Sequence, residues 1–150
     1  MTTTPGFLLL HRTVRFGETD AACVVHFHHL LRWCHEAWED SLQKFGIIAG
    51  SVFPGGREET PSVALPIVKC HADFYAPVMV GDELMIHLKP NRLDHGSFEV
   101  TTQFVYKGEE IASGYLRHVS INTSTRRRCG LPDGVERWLE ASSLGRISSH

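Results

Sequence analysis

Two carboxylates and three histidines crowd one short stretch of this chain: Glu18, Asp20, His26, His28 and His29, with Cys23 among them. A carboxylate can act as a nucleophile or as a base for water. Asp20 stands just ahead of the only long helical pattern, in which Phe27, Leu30, Leu31, Cys34, Ala37, Trp38, Leu42 and Phe45 recur at steps of three and four. That stripe predicts a helix over 27–45 of about five turns, closed by Gly46 in a left-handed conformation. The first amides of any helix lack intrahelical acceptors and carry partial positive charge. Between Ala21 and Phe27 there is no Ser, Thr, Asp or Asn to cap them. The backbone N–H groups of His26 and Phe27 are therefore expected to be free for a substrate oxygen, beside the Asp20 carboxylate.

The rest of the chain must hold these groups in place. Residues 7–16 read as a first strand, broken at Gly17 to Asp20. After the helix, residues 46–60 form a long loop with Pro54-Gly55-Gly56 and Arg57-Glu58-Glu59. Residues 62–75 have strand character, with Ala64, Val68, Cys70, Ala72 and Phe74 on one face; Pro66 favours an edge or a bulge. Pro77 to Asp82 is a turn. Three β-patterned runs follow, at 83–89, 97–106 and 111–121. Leu84, Ile86 and Leu88 alternate in the first, Phe98, Val100, Thr102 and Phe104 in the second, and Tyr115, Val119 and Ile121 share a parity in the third. Lys107-Gly108-Glu109 is a hairpin signal. A β-α-β-β-β-β order with short turns predicts an α+β domain, a mostly antiparallel five-stranded sheet packed on one long helix. One domain is expected over 1–150, its core at about 7–123 with a C-terminal extension over 124–150, and MTTTPG and SSLGRISSH read as loose ends.

Composition narrows the function. An apolar fraction of 42% and a net charge of −2 describe an ordinary globular protein with no basic face for nucleic acid. The four cysteines form no C-x-x-C pair, and nothing reads as a signal peptide or an apolar span, so a reducing, cytoplasmic setting is expected. There is no G-x-S-x-G, H-E-x-x-H or P-loop. No metal is expected, because neighbouring positions on a helix do not face each other across His26-x-His28-His29.

Phe16-Gly17-Glu18-Thr19-Asp20 through Val24-Val25-His26-Phe27 resembles the signature F-G-[DE]-x-D-x-x-G-[IV]-V-[YWH]-[FY] of hotdog-fold acyl-CoA thioesterases of the 4-hydroxybenzoyl-CoA thioesterase type. Pro77-x-x-x-Gly81-Asp82 is similar to a later turn of that family, and the likeness spans about residues 8–123. It implies a hotdog fold, a five-stranded antiparallel sheet wrapped around one helix, and hydrolysis of an acyl-CoA with no cofactor beyond the coenzyme A of the substrate. It implies Asp20 as nucleophile or general base and the Phe27 amide as the group that polarises the carbonyl. It further implies dimers joined into a homotetramer, with sites at the dimer interface. Within the family, Ala21-Ala22 with Val24-Val25-His26-Phe27, and Cys34-His35-Glu36-Ala37, are most similar to members that hydrolyse 1,4-dihydroxy-2-naphthoyl-CoA in phylloquinone (vitamin K1) biosynthesis.

One position departs from the signature: Cys23 stands where the family has glycine. If φ is positive there, a side chain is strained by about 1 kcal/mol or more. Other residues carry quieter expectations. Glu18 reads as a hydrogen-bonding turn acid whose change to glutamine leaves most activity. Cys23 reads as a small packing residue, and Trp33 and Trp38 as core. Arg126, Arg127 and Arg128 form a run that suits coenzyme A phosphates or a solvated end. The rival functions are a non-catalytic hotdog domain that binds an acyl thioester or a protein partner, a thioesterase for another acyl-CoA, and a hotdog dehydratase, for which His35-Glu36 lies too far along the helix.

Overall fold

The computed structural model describes residues 4–48, 52 and 61–147. Most of the loop expected over 46–60, with its Pro-Gly-Gly and Arg-Glu-Glu runs, falls outside the described residues. A 3-10 turn at Gly6–Leu8 leads into β1 (Leu9–Thr13), and a second at Phe16–Glu18 precedes α1 (Phe27–Phe45). Then follow β2 (Val63–Ala64), β3 (Ile67–Phe74), β4 (Glu83–Asp94), β5 (Ser97–Tyr106), β6 (Glu109–Val119), β7 (Ile121–Asn122) and α2 (Asp133–Ile147). Five strands make one antiparallel sheet in the order β1-β4-β5-β6-β3, and β2 pairs separately with β7. The expected α+β architecture is present.

Helix α1 ends as its sequence dictates: Gly46 has φ 106° and its N–H returns to the carbonyls of Gln43 and Leu42. Leu30, Trp33, Cys34, Ala37, Trp38 and Leu42 are buried against the inner face of the sheet, whereas Leu31 is only half-buried. Both tryptophans are core residues, each 1% exposed.

Several features differ from the sequence reading, each for a local reason. The first strand is shorter than 7–16, because 3-10 turns at Gly6–Leu8 and Phe16–Glu18 leave only Leu9–Thr13 extended. Residues 62–75 are not one strand: the chain breaks at Leu65-Pro66, and β3 carries a bulge between Ile67 and Lys69. Strand β4 runs to Asp94 rather than 89, through Pro90. Its pairing with β1 stops at His87, so Pro90 lies beyond that ladder, where a proline is tolerated. In β6 the inward residues are Ala112, Gly114, Leu116 and His118, not the parity of Tyr115 and Val119. Two of the inward positions are small and one is polar, so apolar alternation points the wrong way. The C-terminal extension is part of the core: Val135, Trp138, Leu139 and Ser142 of α2 are buried at helical spacing, and the Trp138 indole donates to Ser41 Oγ at 3.0 Å.

His118 is fully buried, stacked on Phe98 with ring centroids 4.9 Å apart and against Trp38 at 4.3 Å, with Nδ1 3.0 Å from the Leu65 carbonyl. Burial pushes its pKa down to about 4; the Leu65 carbonyl opposes this and His35 adds to it. An unfolded histidine protonates near 6.5. The stability supplied by neutral His118 is therefore complete above about pH 6.5, falls as pH drops from 6.5 towards 4, and levels off below; its span is roughly 3 kcal/mol. Urea unfolding at successive pH values should show this loss in the native protein, and a shallower curve over the same window in His118→Phe.

Candidate active site

The chain between β1 and α1 folds back on itself. The Asp20 N–H donates to the Val24 carbonyl at 2.9 Å, Thr19 and Val25 form a bridge, and the His26 N–H donates to the Glu18 carbonyl at 3.2 Å. Residues 18–20 and 24–26 thus make a short antiparallel ladder, with Ala21-Ala22-Cys23 as its tip. The Cys23 N–H closes the tip on the Asp20 carbonyl at 3.0 Å, and Cys23 has φ 63°. A three-residue hairpin loop that ends in a left-handed residue is the standard solution for this geometry, and glycine suits that position best. That accounts for the family's glycine and shows what Cys23 endures. Its side chain is exposed.

Asp20 is held by the same loop. Its Oδ1 accepts the N–H groups of Ala22 at 2.8 Å and Val24 at 3.3 Å, while Oδ2 has no hydrogen-bond partner among the described residues. The Pro77–Asp82 turn secures the other side of the ladder. Val25 donates to the Val78 carbonyl at 2.8 Å and Val24 bridges Met79. The turn is itself closed by Asp82 Oδ2 on the Met79 N–H at 2.9 Å, with Gly81 at φ 86°.

The ladder delivers the chain straight into α1. His26 is the N-cap residue and makes no side-chain cap. The Phe27 N–H has no acceptor among the described residues, as expected of an uncapped first turn. The expectation for His26 is corrected: its N–H belongs to the Glu18 carbonyl and is not available to a substrate oxygen. The histidines also differ from expectation. Because His26 lies outside the helix, its ring folds back so that its Nδ1 is 2.5 Å from that of His28. His28 is held below the ordinary histidine value by desolvation and by the nearby His29, His26 and Arg32. No group of three His, Cys, Asp or Glu among the described residues is arranged for a metal ion.

Glu18, read as a turn acid, makes the densest set of contacts nearby. Its carboxylate accepts the Arg15 N–H, Arg12 Nη2 and Trp33 Nε1, each at 2.8 Å. Burial raises its pKa, but these hydrogen bonds and the Arg12 charge outweigh it, and the net shift is downward. Arg12 also reaches Glu36 at 2.7 Å and lies 4.8 Å from the centre of the Trp33 ring. Sequence reasoning passed over Arg12 and Trp33 as partners because they come from two other elements.

The arginine run is not brought to Asp20. Arg128 Nη2 is 3.3 Å from the Gly96 carbonyl and 3.7 Å from Asp94, at the far end of the twelve-residue β4 from the Pro77–Asp82 turn. That separation is roughly 35 Å along the strand. A cleft of about 410 Å³ between Ile47, Ile48, Pro132 and Arg137 opens at the C-terminal end of α1, a full helix length from Asp20. The surroundings of Asp20 are open instead, with Phe16 79%, Phe27 62% and Met79 46% exposed.

A sheet wrapped about one long helix, with an open carboxylate oxygen and an unpaired helix-start amide at the two ends of one short ladder, is the arrangement of a hotdog domain. The family model of the thioesterase-like superfamily matches residues 14–139, and the chain belongs to that superfamily. A 1,4-dihydroxy-2-naphthoyl-CoA hydrolase of Synechococcus sp. (strain CC9605) is 65% identical over 147 residues, 98% of each chain. A crystal structure of a Prochlorococcus marinus (strain MIT 9313) protein superposes with TM-score 0.90 at 51% identity, covering 93% of this chain and 99% of that one. The 1,4-dihydroxy-2-naphthoyl-CoA thioesterase of Synechocystis superposes with TM-score 0.76 at 26% identity, covering 88% and 94%. No helix among the described residues is long and apolar enough to cross a membrane.

The left-handed Cys23 yields a direct test. Cys23→Gly removes about 1–2 kcal/mol of backbone strain and loosens the unfolded chain by about half of that, so it should stabilise the protein by about 0.5–1 kcal/mol in urea unfolding. Cys23→Ala keeps the strain and should leave both stability and turnover near those of the native protein.

Proposed function

We propose that this protein hydrolyses 1,4-dihydroxy-2-naphthoyl-CoA to 1,4-dihydroxy-2-naphthoate and coenzyme A, a step of phylloquinone (vitamin K1) biosynthesis in the cytoplasm. The substrate is supported by relatives of that name aligned along nearly the whole chain. The observation that carries the chemistry is the ladder that joins the Asp20 carboxylate, with its open Oδ2, to the unpaired Phe27 amide at the start of α1.

In this reading the thioester carbonyl oxygen accepts the Phe27 N–H, whose helix-start dipole stabilises the charge that develops on it. Asp20 Oδ2 then acts in one of two ways. It attacks the carbonyl carbon, the C–S bond breaks with its electron pair on sulfur, and water hydrolyses the resulting anhydride. Or it takes a proton from water, whose oxygen attacks while the thiolate departs. Oδ1, tied to two amides, holds the carboxylate in either case. Asp20→Asn keeps the shape and should lower kcat by about 10²–10⁴-fold with a much smaller change in KM. Thiol release from 1,4-dihydroxy-2-naphthoyl-CoA and from alkyl-CoA esters measures both this loss and the aryl preference; full turnover by Asp20→Asn would remove the carboxylate from the reaction.

The assembly we propose is a homotetramer built from dimers. Edge strand β3 and the turn after it expose Ile67, Val68, Phe74 and Tyr75 at 40–60%, and the Asp20 surroundings are open on the same chain. An apolar unpaired edge calls for a covering partner. A second subunit would also wall the acyl site. Arg126, Arg127 and Arg128, distant from their own Asp20, would meet coenzyme A phosphates only at its far end or across that boundary. Light scattering at micromolar concentration should give the tetramer mass, and a monomer would contradict this assembly.

A further inference from the structure

The Glu18 carboxylate is nearly enclosed, with its side chain 12% exposed, and its three donors come from three places: the Arg15 amide of its own turn, Arg12 of β1 and Trp33 of α1. Trp33 is itself buried, 1% exposed, so its indole is a fixed point on the helix. The carbonyl of the same residue accepts the N–H of His26, the residue just before Phe27. Two residues further along the same rung set lies Asp20. One residue therefore grips the core through its side chain and the helix entry through its backbone. On the opposite side, among the described residues, the ladder is held by Val25 on the Val78 carbonyl and by the bridge from Val24 to Met79. Without the Glu18 grip, the ladder can pivot about that second line, and Asp20 shifts relative to the Phe27 amide.

We propose that Glu18 is a positioning residue of the hydrolytic site, setting the spacing between the Asp20 carboxylate and the Phe27 amide by clamping the ladder to Arg12 and Trp33. This revises the expectation that Glu18→Gln leaves most activity, and it rests on the role given to Asp20 above. Glutamine keeps the size of the side chain but presents an amide NH2 to a cluster made entirely of donors, so one partner must turn away. A displacement near 1 Å at a reacting group can cost about 10²-fold in rate.

The test is a double-mutant cycle on 1,4-dihydroxy-2-naphthoyl-CoA with Glu18→Gln, Asp20→Asn and the pair, each confirmed folded by circular dichroism. Glu18→Gln should lower kcat about 10–100-fold with KM within about threefold. In the Asp20→Asn background the same change should cost less than about threefold, because the spacing matters only while both groups act. Trp33→Phe, which deletes one donor and keeps a ring, should lower kcat about 3–10-fold with the same sub-additivity, and it decides the matter if Glu18→Gln does not fold. A folded Glu18→Gln with kcat within twofold of native, or an equal loss in both backgrounds, would overturn the proposal. Asp20→Asn separates the two readings: if it loses turnover while Glu18→Gln does not, only the positioning role falls, and if it keeps full turnover, the Asp20 assignment falls first.

Discussion

The close approach of α1 to β6 governs this molecule. Gly114 faces Cys34, and a Cβ at position 114 would overlap the Cys34 sulfur. With Ala112 beside it, Gly114 lets the helix lie on the sheet at a distance that a larger residue would not allow. Trp33 and Trp38 then fill the space on either side of the contact, Trp33 against Phe104 and Trp38 against Phe98 and His118. Burial pushes the Cys34 thiol up to about 12, so it serves there as an inert, small apolar group.

Seating the helix at that depth fixes where its N-terminus emerges. Val24 and Val25, just ahead of α1, meet the Pro77–Asp82 turn that carries the chain from β3 to β4, and the hairpin that bears Asp20 projects from this junction with its tip exposed. Polar bonds complete what packing begins. Arg12 joins Glu18 to Glu36, and Arg32 shares Glu36, so β1, the 3-10 turn and α1 are tied by charge as well as by apolar contact. Arg12, Glu18 and Glu36 are only partly exposed, where charge-assisted hydrogen bonds keep more of their strength than they would in open water, whereas Arg32 is exposed.

Much of the candidate site was legible in the sequence because it is local. Asp20, the missing cap and the uncapped amide of Phe27 lie within eight consecutive residues, and the strain at Cys23 was flagged by the glycine that the resembled family carries there, although the hairpin that causes it was not. The helix over 27–45 and the five-strand count were also legible, since an apolar stripe and alternating strands report burial directly. The inward face of β6 was not, because the helix needs small residues there and small residues erase the alternation. Nor was α2, whose Val135, Trp138, Leu139 and Ser142 carry the right spacing but are diluted by Gly134 and a run of serines.

The sequence by itself determined the family, the helix and strands that flank the candidate site, and the local turn that carries Asp20. Only the tertiary structure decided that the His26 amide is already taken, that the arginine run sits at the other end of β4, and that Glu18 is bonded to Arg12 and Trp33. The physical reason is one of range. Caps, turns and periodic faces are settled by neighbours a few residues away. The partner of a buried donor or acceptor is chosen by how strands and helix come together, and one chain position carries no mark of it.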